Sequence, residues 1–355
     1  MNIWGLKGKN FCLFLWITLD TQIFNLNMRL GKTSAEKHMA TVNDIEFSDI
    51  YVIPDGRAYI WGQKTPSGLI QIEPDDFAEF YQQLIEAYDG SNPSYLLKYH
   101  GLHYRVERTV TLEGQQFCAR KMPHTVPDIN KLGMEEKLLK YMKSLSGASG
   151  LILLAGTTGS GKTTTLSALL KEFLVRNGGY AFTLEDPIEM PLDGVYHTVD
   201  GELGICKQMT PPNGSWELGL RSMLRSKPRY VYLGEIRTPE IASEALRAAI
   251  SGHLVLSTIH ASTVSDAIQS IVKYAAASGI SEDMAYDLVG NGILAVLHQT
   301  LIGVPKRPKI EYVFANPDSS KGDQVRGIVK SGKLNLSTTI EAQRIRLARG
   351  IPLFD

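Results

Sequence analysis

Apolar positions fall into two regimes along the chain. Over residues 47–123 they come in short groups. Segments 50–53 and 58–61 predict strands joined by Pro54-Asp55-Gly56, residues that suit a tight turn. Pro74 opens a stretch in which Phe77, Phe80, Tyr81, Leu84 and Tyr88 recur three and four residues apart, the spacing of one helix face, and Asp89-Gly90 ends it. Segments 103–110 and 116–121 predict a hairpin around Glu113-Gly114. These elements make a small α+β domain, with 124–133, which contains Pro127, as the linker that follows.

From residue 134 to 355 apolar runs alternate with helical stretches, the pattern of a mainly parallel α/β sheet covered on both faces, with a helical part at the C-terminus. Strands are expected at 151–155, 180–184, 230–233 and 253–258. Between the last two lies a helix with clear ends: Thr238 as N-cap, Pro239 in the first position, Glu240 in the first turn and Gly252 past the last. No internal repeat, heptad run or low-complexity tract is present. Residues 1–46 read differently: Lys7 and Lys9 precede the apolar run 11–19. That run is too short to span a bilayer, and no small-residue cleavage signal follows it. The preferred reading is a poorly ordered or extended N-terminus, with Met28 and Met39 as alternative starts; a peripheral membrane anchor is the alternative.

A length of 355 residues suggests about two domains. Lys plus Arg and Asp plus Glu are equal at 37 each, so no global positive field draws the protein to nucleic acid, although a local basic groove stays open. The three cysteines, Cys12, Cys118 and Cys206, lie far apart, which fits a reducing, cytoplasmic compartment better than a disulfide framework.

The candidate chemistry begins at Gly156-Thr157-Thr158-Gly159-Ser160-Gly161-Lys162-Thr163, followed by Thr164. This G-x-x-x-x-G-K-T sits between an apolar run and a helical stretch, the context a phosphate-binding loop requires. The glycines let backbone N–H groups close on phosphate oxygens, Lys162 neutralises the β/γ charge and the Thr163 hydroxyl can ligate Mg²⁺. An ordinary glycine-rich turn is the plainer reading. Hydrolysis further needs a carboxylate at a strand end. Glu235 emerges from Tyr230-Val231-Tyr232-Leu233-Gly234-Glu235, with Gly234 giving room. Glu185, Asp186 and Glu189 form a second acidic cluster, where Pro187 forces the chain out of its strand. They would repel one another unless a cation such as Mg²⁺, held through water, sits near; an exposed acidic turn is the alternative. His253 and His260 bracket an apolar run beside the acid-bearing strand and either hydrogen bond structurally or sense the γ-phosphate. Zinc is disfavoured by their spacing and by the lack of a nearby cysteine.

The phosphate loop, then Thr-Leu-Glu-Asp-Pro-Ile-Glu, then Leu-Gly-Glu-Ile-Arg, then Gly-His-Leu-Val-Leu-Ser-Thr-Ile-His resemble in order and spacing the Walker A, Asp box, Walker B and His box of the secretion ATPase superfamily of type II and type IV systems. Residues 47–340 carry the likeness, which is strongest to the PilT-like branch with DotB and the TraJ ATPase of I-type conjugative plasmids. The resemblance implies a PAS-like N-terminal domain, a RecA-like ATPase domain and a homo-hexameric ring working with inner-membrane components of a secretion, conjugation or pilus machine. It also implies ATP and Mg²⁺ as ligands, Glu235 as catalytic glutamate, Glu185 and Glu189 as Asp-box acids, and His253 and His260 as His-box residues. Arg105 and Arg120, in segments like the family's arginine-bearing strands, would reach a bound nucleotide; ordinary surface arginines are the alternative. Thr238 departs from the pattern, because pilus-retraction members usually carry Asp there. The leading reading is therefore an ATP-hydrolysing motor, peripheral to the inner membrane. A RecA-like nucleic-acid motor is the alternative, although no basic, aromatic-rich stretch supports it.

Overall fold

The computed structural model describes residues 40–61, 68–318 and 320–354, so the apolar run 11–19, the alternative starts and Cys12 lie outside the described residues. The first unit comprises β1 (Asp49–Val52), β2 (Ala58–Trp61), β3 (Leu69–Ile72), helix α1 (Phe77–Glu86), β4 (Ser94–Tyr99), β5 (Leu102–Thr111) and β6 (Gly114–Lys121). The strands form one antiparallel sheet in the order β3-β2-β1-β6-β5-β4. Alternation sends Ile50, Val52, Leu97, Tyr104, Val106, Phe117 and Ala119 to one face, where they bury Phe80 and Leu84 of α1. Phe80 meets Tyr99 and Tyr104 edge-on, with ring centroids 5.0 and 5.3 Å apart. The opposite face carries a polar row, because Asp49 pairs in register with Arg120 and Arg120 with Arg105. Strands β3 and β4 were not anticipated: β3 is mostly exposed and too short for its pattern to stand out.

The second unit runs α2 (Glu136–Ser144), β7 (Gly150–Ala155), α3 (Lys162–Asn177), β8 (Gly179–Leu184), β9 (Gly194–His197), β10 (Leu203–Met209), α4 (Trp216–Arg225), β11 (Tyr230–Glu235), α5 (Pro239–Ile250), β12 (Leu254–Ile259), α6 (Val264–Ala277), α7 (Glu282–Gly292), β13 (Ile293–Ile302), β14 (Arg307–Phe314), α8 (Gln324–Lys330) and α9 (Ser337–Arg349). The sheet order is β14-β13-β7-β12-β11-β8-β10-β9, parallel from β13 to β10 with an antiparallel strand at each edge. Both faces are covered, which is why the central strands read as unbroken apolar runs. Leu151, Leu153 and Ala155 of β7 face α4 to α7, while Ile152 and Leu154 face α2, α3 and Leu347 of α9.

The end signals of α5 act as expected: the Thr238 hydroxyl accepts from the Ile241 N–H, and Pro239 opens the helix. The 124–133 stretch is docked rather than free, because Val126 and Ile129 are buried beside α3 and Lys171 Nζ donates to the Val126 carbonyl at 2.9 Å. No helix among the described residues is long and apolar enough to cross a membrane.

Candidate active site

In a parallel sheet the carboxyl ends of the strands lie along one edge, so the loops that leave them are gathered there. Between β7 and α3 the chain turns through Gly156 (φ 153°), Gly159 (φ 76°) and Gly161 (φ 82°), the last acting as the left-handed N-cap of α3. The turn is packed as well as bent. A Cβ on Gly156 would lie 2.5 Å from the Gln299 carbonyl oxygen, so only glycine fits. Thr157, Thr158 and Gly159 form the exposed rim, and Thr163 and Thr164 are half-buried in the first turn of α3. Lys162 is buried and its Nζ donates to the carbonyls of Gly156 and Thr157 at 2.8 and 3.0 Å. Burial pulls this ammonium below its ordinary range, opposed by the charges of Glu235 and Glu189. Ser160 Oγ is buried without a hydrogen-bond partner among the described residues.

Glu235 ends β11 beside an irregularity in its pairing with β12. The Ser257 and Thr258 hydroxyls of β12 donate to the Leu233 and Gly234 carbonyls at 2.7 and 2.8 Å and hold that end. The carboxylate is held on one oxygen, where Arg237 Nε donates to Oε2 at 2.6 Å; His260 Nε2 lies 2.9 Å from Oε1, but that oxygen is buried and makes no hydrogen bond among the described residues. Behind it sits Glu185, only 1 % exposed, and a Cβ on Gly234 would come within 3.3 Å of the Glu185 Cγ. Burial pushes the Glu185 carboxyl up to about 7, and nearby Glu189 adds to the rise. Thr163, Glu185, Asp186, Glu189, Glu235 and Arg237 line a cavity of about 130 Å³, with Trp216 also in its wall.

The structure thus brings together the phosphate-loop residues, Glu185, Glu189, Glu235 and His260. It does not bring His253 there. That residue precedes β12 at the opposite edge of the sheet, roughly 20 Å away at the usual strand rise. Its Nδ1 lies 2.6 Å from the Pro228 carbonyl oxygen, a structural contact that replaces the expected nucleotide-facing role. The arginines divide as well. Arg105 lines a cleft between the two units together with Asp186 and Pro187. Arg120 is instead tied through Nε to Asp49 Oδ1 at 2.8 Å, so its expected reach toward a nucleotide would require breaking an ion pair.

Two glutamines escaped the sequence reading. Gln299 of β13 is fully buried; its Nε2 donates to the Ser160 carbonyl at 2.7 Å and its Oε1 accepts from the Thr165 hydroxyl at 2.9 Å, bracing the loop from behind. Gln208 of β10 donates to Glu185 Oε1 at 2.9 Å. Neither sits in a motif, since each reaches residues distant in sequence: Gln299 the glycine loop and α3, and Gln208 the end of β8. Arg237 was legible in principle, because it follows Glu235 by two residues just past the strand end.

Fold and site together define a RecA-like P-loop NTPase fold preceded by a smaller α+β domain. Residues 89–324 match the type II/IV secretion system protein family, and the chain belongs to it. It is 33% identical over 184 residues to the competence protein ComGA of Bacillus subtilis, which covers 50% of this chain and 48% of that protein. It is 28% identical over 256 residues to a twitching motility protein of Neisseria gonorrhoeae, covering 69% and 66%. The aligned stretch is only 32% of the type II secretion system protein E of Klebsiella pneumoniae, so the chain spans about half or less of the length of such relatives. The fold is that of the pilus retraction motor PilT with bound ADP (TM-score 0.66, 21% identity, covering 84% of this chain and 86% of that one). It is also that of the Legionella pneumophila ATPase DotB (TM-score 0.62, 23% identity, covering 86% and 88%).

Proposed function

We propose that this chain is the ATP-hydrolysing subunit of a homo-hexameric motor in a type IV, Dot- or conjugation-like, secretion or pilus system. It would work at the cytoplasmic side of the inner membrane with that machine's membrane components. One observation carries the reading: Glu235 shares a single small cavity with Thr163, Glu185 and Glu189 at the mouth of the glycine loop. Phosphoryl transfer is mostly positioning and charge stabilisation, and two of these acids are already held, Glu185 by Gln208 and Glu235 by Arg237. Lys162 is desolvated and turned into the loop in advance, so little further ordering is needed when phosphate arrives. The acid-lined cavity beside the Thr163 hydroxyl suits Mg²⁺, which Thr163 would hold directly and Glu185 and Glu189 through water; when bound it neutralises phosphate charge. Glu235, oriented by Arg237 with His260 beside it, polarises the attacking water. Arg105, across the cleft between the units, adds positive charge when the cleft closes.

Phosphate release and fluorescent-nucleotide titration test this together. Lys162→Ala should lose nucleotide binding or turnover, whereas Glu235→Gln should keep ATP bound and lose turnover by about a hundredfold or more. Near-normal turnover of Glu235→Gln would remove Glu235 from its role. Activity per subunit should fall on dilution below the assembly threshold. Stimulation by DNA, with an affinity that weakens steeply with salt, would move the reading to a nucleic-acid motor.

A further inference from the structure

The acidic segment 185–193 leaves β8 and returns to β9 without regular secondary structure. It is nonetheless fastened, and largely by one side chain. Gln208, near the end of β10, accepts at Oε1 from the backbone N–H of Leu192 at 2.5 Å and of Asp193 at 2.8 Å. Its Nε2 donates to Glu185 Oε1 at 2.9 Å and to the Met190 carbonyl at 3.0 Å. Every hydrogen-bonding position of the amide is filled. The Gln208 backbone N–H adds a bond to Asp193 Oδ1 at 2.9 Å, and the Glu185 N–H donates to the Met209 carbonyl at 3.1 Å.

We propose that Gln208 is a positioning residue of the site: its amide locks Glu185 at one end of the segment and residues 190–193 at the other, and so fixes where Asp186 and Glu189, between those anchors, meet the cavity. For the chemistry those acids serve, this rests on the proposed function. Glutamine suits the task because one planar neutral group offers two donors to a carboxylate and a carbonyl and two lone pairs to backbone N–H groups. Leucine would leave several buried polar groups unpaired. Glutamate would keep the acceptor but turn a second carboxyl toward Glu185. A half-satisfied network of this kind loses its geometry, and a loosened support places acids too imprecisely for catalysis.

The test uses the full-length chain with Gln208→Leu and Gln208→Glu. Hydrogen exchange of the peptide covering 185–193 should show protection lost in Gln208→Leu while the central strands stay protected. The kcat of Gln208→Leu should fall about tenfold or more, with KM for ATP changed by less than about threefold. The split between kcat and KM is the readout that a merely structural role would not move, and Gln208→Glu separates the two ends of the lock. It keeps the acceptor for the Leu192 and Asp193 N–H groups and loses the Nε2 donor to Glu185, so exchange protection near 190–193 should stay closer to normal than in Gln208→Leu while kcat still falls. Unchanged exchange over 185–193 in Gln208→Leu, or a kcat within about twofold of the unaltered protein in folded Gln208→Leu, would overturn the proposal. An unaltered chain without ATPase activity would sink the proposed function, while the exchange measurement would still decide whether Gln208 holds the segment.

Discussion

The two edges of the large sheet are built from the same strands, yet the carboxyl edge adds side chains that pair with one another to those turned onto the backbone. At the amino edge polar side chains are turned onto the backbone: His253 contacts the Pro228 carbonyl, and Arg229 donates to the Ser146 carbonyl at 3.2 Å. At the carboxyl edge Glu235, His260, Arg237 and Glu185 are directed at one another and at a cavity. Backbone partners are consumed locally and leave these side chains nothing to offer a ligand. Side-chain partners leave charge that a ligand can redistribute. The contrast shows why two histidines on one strand are not equivalent, and why adjacency in a motif is no measure of proximity to chemistry.

The sharpest way to sharpen this contrast is to remove the buried acid. The Glu185 carboxyl is raised from 4.5 to about 7 in the folded chain, so its contribution to stability is complete below about 4.5 and is lost as pH rises through about 7. Glu185→Gln mimics the protonated form. In thermal melts without nucleotide and with a chelator, it should match the unaltered protein near pH 5 and exceed it by on the order of 3 kcal/mol near pH 8. A difference that does not change with pH would mean that Glu185 is not the titrating group.

The histidines come next in size. His260→Ala removes the ring whose Nε2 lies 2.9 Å from the Glu235 carboxylate and, if that approach tightens into a charge-assisted contact when nucleotide binds, should lower kcat about tenfold. His253→Ala should leave kcat within about twofold and cost about 1 kcal/mol of stability instead. Equal losses of kcat in steady-state assays of both would break the comparison between the edges. The smallest expected effect is at Thr238, the cap beside the site. Thr238→Ala should cost about 1 kcal/mol in melting experiments, and Thr238→Asp should restore or slightly exceed the original value, since Asp caps as well as Thr.

The carboxyl edge was legible in the sequence where a motif and a strand end coincide. Lys162, Glu235 and the termini of α5 needed only local signals: glycines before a helix, an acid after an apolar run, Thr-Pro before a helix. His253 was misplaced because an apolar run flanked by histidines does not say which flank faces the ligand; strand direction within the sheet decides that. Arg120 looked available because its partner Asp49 lies 71 residues earlier, on a neighbouring strand. Strands β9 and β10 went unseen since Val195, Leu203 and Ile205 are exposed and their alternation is broken by Gly194 and Gly204. Gln299 and Gln208 carry no periodicity at all. Their meaning arises only when sheet order lays β13 beside β7 and β10 beside β8.

The docking of Val126 and Ile129 has a consequence for how such chains can be cut and recombined. Prolines at 123 and 127 invite a splice between or just after them, yet the two apolar residues belong to the floor beneath α3. A fragment starting at residue 134 would open two hollows there and expose its own hydrophobic underside. Exchange of first units between relatives would therefore keep the recipient's native seam only if the junction falls upstream of Val126, so that the strap travels with the body to which it is fastened.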